Sequence, residues 1–153
     1  MCFKQAQKNI LILLQQKGNE MTTKKTNKKQ ETELFSADNE TVKAALNKLK
    51  VEGNIHYLPI LFDILNSGPE KNIETEITKI LGSLKVKEAV PVLVNALKEN
   101  KYKPIRKSIL TACWQNGLDY KNHLQTFVDL VIEEDWETGF EAFTVIDNME
   151  TLP

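Results

Sequence analysis

Cysteine is almost missing from this sequence: Cys2 and Cys113 are the only two in 153 residues. That argues against a disulfide framework and for free thiols in a reducing compartment. Glycine and proline are scarce, at six and five, and Gly53, Gly68, Gly82 and Gly117 each stand alone, so no glycine-rich phosphate loop is present. Long apolar runs are also lacking. Ile10-Leu11-Ile12-Leu13-Leu14 is the longest, against the roughly 20 residues of a membrane span and the roughly seven or more of a secretory core. Nor does one sign of charge dominate, because 20 Lys and Arg oppose 21 Asp and Glu for a net −1. A dedicated nucleic-acid surface needs concentrated positive charge, so nucleic acid is not the expected partner. A soluble, cytoplasmic chain without a membrane segment is expected.

What is present is an ordinary globular balance, 41% hydrophobic and 27% charged, enough to build a core without metal or disulfide support. Charge is unevenly spread. Residues 131–153 hold seven acidic residues and no Lys or Arg. Residues 1–37 hold seven Lys against three Glu. Residues 3–17 predict a short helix with Phe3, Ile10, Leu13 and Leu14 near one face. The polar tract from Asn19 to Glu33 offers little to bury and predicts a flexible linker. Met21 opens that tract, so residues 1–20 read as a candidate upstream extension. Lys24, Lys25, Lys28 and Lys29 lack interleaved aromatics and read as a solubilising tail, with an anionic surface as the alternative.

From Asp38 the pattern turns helical. Asp38 offers an N-cap, and Val42, Ala45, Leu46 and Leu49 recur at helical spacing up to a stop at Gly53-Asn54. Ile55, Leu58, Leu61, Ile64 and Leu65 make a second helix, ended by Asn66-Ser67-Gly68-Pro69. Ile73, Ile77, Ile80, Leu81 and Leu84 then pair with Val90, Leu93, Val94 and Leu97. After Pro104, placed for a first helical turn, come Ile105, Ile109, Ala112 and Cys113, a turn at Asn116-Gly117, and Leu124, Phe127, Val128 and Val131. No strand is predicted.

The leading apolar residues Val42, Ile73, Ile105 and Trp136 are 31, 32 and 31 residues apart. A period of this length marks stacked supersecondary units, none of which buries its apolar face alone. Glu88-Ala89-Val90-Pro91-Val92-Leu93-Val94-Asn95-Ala96-Leu97 resembles the second helix of short bacterial HEAT repeats, the class also called phycobilisome-lyase-like. Tyr57-Leu58-Pro59-Ile60-Leu61 is similar, and Val42-Lys43 and Ile105-Arg106 resemble the apolar-basic pair that opens such units. Ile73-Glu74 and Asn122-His123 depart from the pattern. The resemblance implies an all-α, right-handed α-α superhelix of about three and a half helical hairpins. Its units are expected at 38–68, 69–100 and 101–133, with a capping unit at 134–153, after an extension and linker over 1–37.

In the last unit Trp136, Phe140, Phe143 and Ile146 (or Val145) are expected inward. Glu137, Glu141, Asp147 and Glu150 are expected outward, giving a terminal repeat the polar face it needs. The alternative for the acidic end is a docking surface for a basic partner.

No catalytic grouping emerges. His56 and His123 lie about two units apart, and successive helices are spaced ~10 Å, so they cannot share a metal; neither has a ligand set beside it. Cys113 reads as an inert core thiol, Trp136 as core, and Trp114 as a helix-edge residue. No metal or cofactor is expected. Second helices line the concave side in solenoids of this kind, and matching positions there are Asp63, Asn95 and Thr126, then Asn66, Lys98 and Asp129. They would form two ladders suited to gripping a peptide or protein surface; an ordinary solvated face is the alternative. The expected function is therefore a non-enzymatic protein-protein interaction module, a monomer. The competing class is a nucleic-acid-linked or lyase-type enzyme, since related helical solenoids include DNA-alkylation glycosylases and chromophore lyases. Trp114 near Asp119, or Asp135-Trp136, comes closest to such a site.

Overall fold

The computed structural model describes residues 26–149, and among them there are α-helices and short 3-10 turns but no strand. No helix among the described residues is long and apolar enough to cross a membrane. The chain gathers into two compact units that divide between Leu58 and Pro59.

The first unit opens with α1, Lys28–Leu34. Here the structure departs from the expected linker. Asn27 caps the helix by accepting the N–H groups of Lys29 and Gln30 at 2.9 and 3.2 Å, and Leu34 and Gln30 are buried. The tract looked empty because Leu34 is the one aliphatic residue in α1. What anchors α1 instead is polar: the Tyr57 hydroxyl donates to Oε1 of Gln30 at 3.2 Å and accepts from the backbone N–H of Asn27 at 2.7 Å. These bonds satisfy the Tyr57 hydroxyl and Gln30 Oε1, while Gln30 Nε2 is buried with no hydrogen-bond partner among the described residues, so the desolvation of Gln30 is only partly offset.

Against α1 packs α2, Asn39–Glu52. Asp38 caps it as expected, accepting from the Thr41 N–H at 3.0 Å and from the Thr41 hydroxyl; the hydroxyl, with that N–H next, holds the carboxyl below its ordinary pKa. Val42, Ala45, Leu46 and Leu49 are buried. The helix ends where Gly53 turns left-handed at φ 65°, a conformation that a Cβ would strain. A 3-10 turn, Ile55–Tyr57, leads out of it.

The second unit contains α3 (Leu58–Asn66, whose first residue closes the first unit), α4 (Lys71–Gly82), α5 (Ala89–Lys98), α6 (Arg106–Asn116), α7 (Leu124–Glu133) and α8 (Trp136–Asp147). The 3-10 turns Asn100–Ile105 and Lys121–His123 precede α6 and α7. Pro59 and Pro91 stand in the first turns of α3 and α5, where no intrahelical N–H is needed. Pro104 lies in the 3-10 turn and not in α6.

α4 packs on α6 and α6 packs on α8, while α5 adjoins α6 and α7 adjoins α8. The expected apolar stripes of α4, α5 and α6 are buried, with Ile77, Leu81, Leu93 and Ile109 fully enclosed, except for Leu84, which lies beyond the end of α4 and is half-buried. Gly82 is the last residue of α4. In α7 the buried residues are Phe127 and Leu130, while Val131 is exposed.

Several side-chain hydrogen bonds in this unit join residues about one period apart. Asn116 donates to Leu81 O across 35 residues, Lys85 to Asn116 O across 31, and Lys107 to Glu137 across 30.

Candidate functional site

α8 begins at Asp135, whose carboxylate accepts from the Thr138 N–H at 3.0 Å; that bond lowers its pKa. The face that α8 buries is made of small residues: Thr138, Gly139, Ala142 and Val145. At Gly139 the approach to α7 is close: the position a Cβ would take lies 3.2 Å from Val131 O. On the α6 side the contacts are polar. Lys107 pairs with Glu137 at 2.8 Å. Glu141 accepts from Thr111 Oγ1 at 2.9 Å and from Trp114 Nε1 at 2.7 Å. Where α7 ends, Glu134 pairs with Arg106 at 3.1 Å, both side chains largely buried.

These contacts turn the helix over relative to the expected register. Trp136, Phe140 and Phe143 do not enter the core; they are 79%, 54% and 51% exposed. Glu141, expected outward, points at α6. The inward choice was wrong because a bulky aromatic stripe cannot come within the distance that Gly139 and Ala142 allow. The outer face is therefore apolar: the Trp136 and Phe140 rings stack with centroids 5.6 Å apart, and Ile132 near the end of α7 is also exposed. A polar terminal cap does not describe this helix.

Of the six residues proposed for the groove, two are engaged with the Asn100–Ile105 turn. Asp63 accepts from the Tyr102 hydroxyl at 2.7 Å and faces Lys101 at 3.5 Å. Asn66 donates to Lys101 O at 2.9 Å. Both thus hold the Asn100–Ile105 turn against α3. Burial, with the Asp63 hydrogen bond next, raises the Tyr102 hydroxyl above its ordinary pKa. Asn95 and Lys98 are exposed on α5, and Thr126 and Asp129 are half-buried on α7, where Asp129 accepts from Gln125 at 2.8 Å.

Trp114 and Asp119 do come together, lining a cleft of 290 Å³ with Cys113, Tyr120 and Lys121. Its chemistry is quiet. Burial pushes the Cys113 thiol up to about 12, so it stays protonated near neutrality. Burial raises the Tyr120 hydroxyl too, and Tyr120 donates to Asn116 Oδ1 at 3.1 Å. Trp114 is half-buried, bonded to Glu141. His56 and His123 sit in the two 3-10 turns before α3 and α7. Among the described residues no three His, Cys, Asp or Glu gather as a metal site.

The outer face of α8 is the feature that sequence reasoning missed. Its signal was Gly139 with Ala142, a small-residue step opposite the aromatics on the helix. No protein-family model, no curated protein and no solved structure matches this chain.

Proposed function

We propose that this chain is a non-enzymatic protein-interaction module, a short right-handed stack of HEAT-type helical hairpins that holds a partner on exposed helix faces. The period of 31–32 residues supports the stack, as do the successive packing of α4, α6 and α8 and hydrogen bonds that reach about one period along the chain. The observation that carries the reading is α8. Three aromatic side chains in one stripe are left to solvent while Glu137 and Glu141 on the same helix are bonded to α6. Exposed apolar patches of this kind mark interaction surfaces.

The concave surface keeps a part in this reading. Asn95 and Lys98 on α5 and Thr126 and Asp129 on α7 are the positions with side chains available to a partner. Asp63 and Asn66 serve the fold first, as clamps on the Asn100–Ile105 turn. A cytoplasmic monomer without cofactor completes the reading.

The test is a capture experiment on native lysate with three forms of the chain: wild type, Asn95→Lys/Lys98→Glu/Thr126→Lys, and Phe140→Ser/Phe143→Ser. Proteins held by wild type and lost from one variant assign the module and its surface. Proteins held equally by all three overturn both surfaces. If none is held and duplex DNA binds at low salt with a steep salt dependence, the nucleic-acid-linked alternative replaces the module.

A further inference from the structure

We propose that the outer face of α8 is the docking site for a basic amphipathic helix of another protein. This rests on the interaction-module reading and adds the chemistry of the partner. Trp136, Phe140 and Phe143 follow one another at i, i+4 and i+7, so they form a single stripe along the helix, with Ile132 of α7 also exposed. A partner helix meets such a stripe with its own apolar residues at i, i+3 and i+4. Rigid aromatic rings give large contact area at little conformational cost, which suits them as anchors.

Charge decides among occupants. Residues 131–149 carry Glu133, Glu134, Asp135, Glu137, Glu141 and Asp147 and no Lys or Arg. Arg106 neutralises Glu134, and Lys107 neutralises Glu137. Asp135 and Glu141 accept hydrogen bonds from uncharged donors. Glu133 and Asp147 are exposed and pair with no cation among the described residues. Asp147 lies one turn beyond Phe143 and so continues the aromatic stripe.

A second copy of this chain would set these carboxylates against their own likeness across a two-fold interface. Anionic lipid headgroups would be repelled in the same way. A helix whose apolar stripe is flanked by Lys or Arg answers both the rings and the carboxylates.

The test uses the whole 153-residue chain and two synthetic peptides. One is built of Leu at i, i+3, i+4 and i+7 with Lys elsewhere; the other has Glu for every Lys. Titrations are followed by tryptophan emission, which moves to the blue as exposed Trp136 is covered, and sedimentation velocity of the protein alone runs beside them. The basic peptide is expected to bind and shift the emission, with the Glu peptide at least about tenfold weaker. Raising salt from about 0.05 M to about 0.5 M weakens it further. Phe140→Ser/Phe143→Ser weakens binding by about tenfold or more; both side chains are largely exposed, so the melting temperature should hold.

Equal binding of the two peptides, no binding of the basic one, or unchanged binding by the variant overturns the proposal. So does a dimer of the chain alone that the variant dissociates, which would assign the face to a second copy. If the peptide fails while the Asn95, Lys98 and Thr126 variant still loses captured proteins, this proposal falls and the module stands. If neither surface holds anything, the module reading falls with it.

Discussion

The carboxylate of Glu141 accepts the indole N–H of Trp114 at 2.7 Å, and with it α8 is rotated so that its aromatic side faces away from α6. A residue that the hydropathy pattern assigns to solvent thereby becomes an anchor. The bond is charge-assisted and half-buried, which makes it stronger than a neutral surface contact.

Replacing Glu141 by Ala strands one donor, Trp114 Nε1, while Thr111 Oγ1 keeps its bond to Lys107 O at 2.9 Å. The expected cost is about 1–3 kcal/mol of unfolding free energy by urea titration. Glu141→Gln keeps an acceptor oxygen and should lose less. Equal losses in the two variants would mean that the acceptor is not what holds α8.

Two glycines make opposite forecasts. A side chain at Gly139 meets the Val131 carbonyl at 3.2 Å, so Gly139→Val should destabilise by about 1–3 kcal/mol through overpacking. At Gly82 the nearest atom is Oε1 of Gln115 at 2.6 Å, the movable end of a flexible chain. Gly82→Ala should therefore be neutral or stabilising by up to about 1 kcal/mol, because Ala favours helix. Thermal melts of both variants measure the contrast.

Arg106 and Glu134 form a largely buried ion pair, and Arg106 Nε has no hydrogen-bond partner among the described residues. Arg106→Ala leaves a carboxylate without its cation in a dry site and should cost about 3–5 kcal/mol. The double change Arg106→Met/Glu134→Leu should recover most of that loss, because no charge then remains to desolvate. A double-mutant cycle by chemical denaturation gives both numbers.

Cys113 makes a pH forecast. Its folded-state pKa, about 12, stands above the ordinary value of 9.0 because burial disfavours the thiolate. The folded state therefore holds the proton more tightly, and the unfolded state binds fewer protons above about pH 9. Stability contributed by the neutral thiol is full below that pH and falls as pH rises toward 12. In a Cys2→Ser background a thiol reagent at pH 8 should leave Cys113 unmodified until denaturant is added. Rapid labelling of the native protein would contradict its burial.

Most of the helices were readable because their evidence is local. Asp38 and Gly53 mark the ends of α2 by cap chemistry, and Ile77, Leu81, Leu93 and Ile109 mark buried faces by spacing alone. α1 was not readable, since Gln30 is buried through a hydroxyl 27 residues away. The partners of Asp63 were not readable. Spacing aligned Asp63 with Asn95, but it could not show that Tyr102 already occupies the Asp63 carboxylate.

Sequence alone determined the helical class, the period and most buried faces, because hydrophobic periodicity and capping depend on neighbours within a turn or two. Tertiary structure alone decided which side of α8 faces out. Two stripes compete on that helix, one large and aromatic, the other small. Hydropathy favours burying the first. The second prevails because Gly139 and Ala142 permit close approach to α7 while Glu137 and Glu141 find donors on α6. The small stripe is written in the helix, but the partners that decide for it, the Val131 backbone of α7 and the donors of α6, are brought there only by folding.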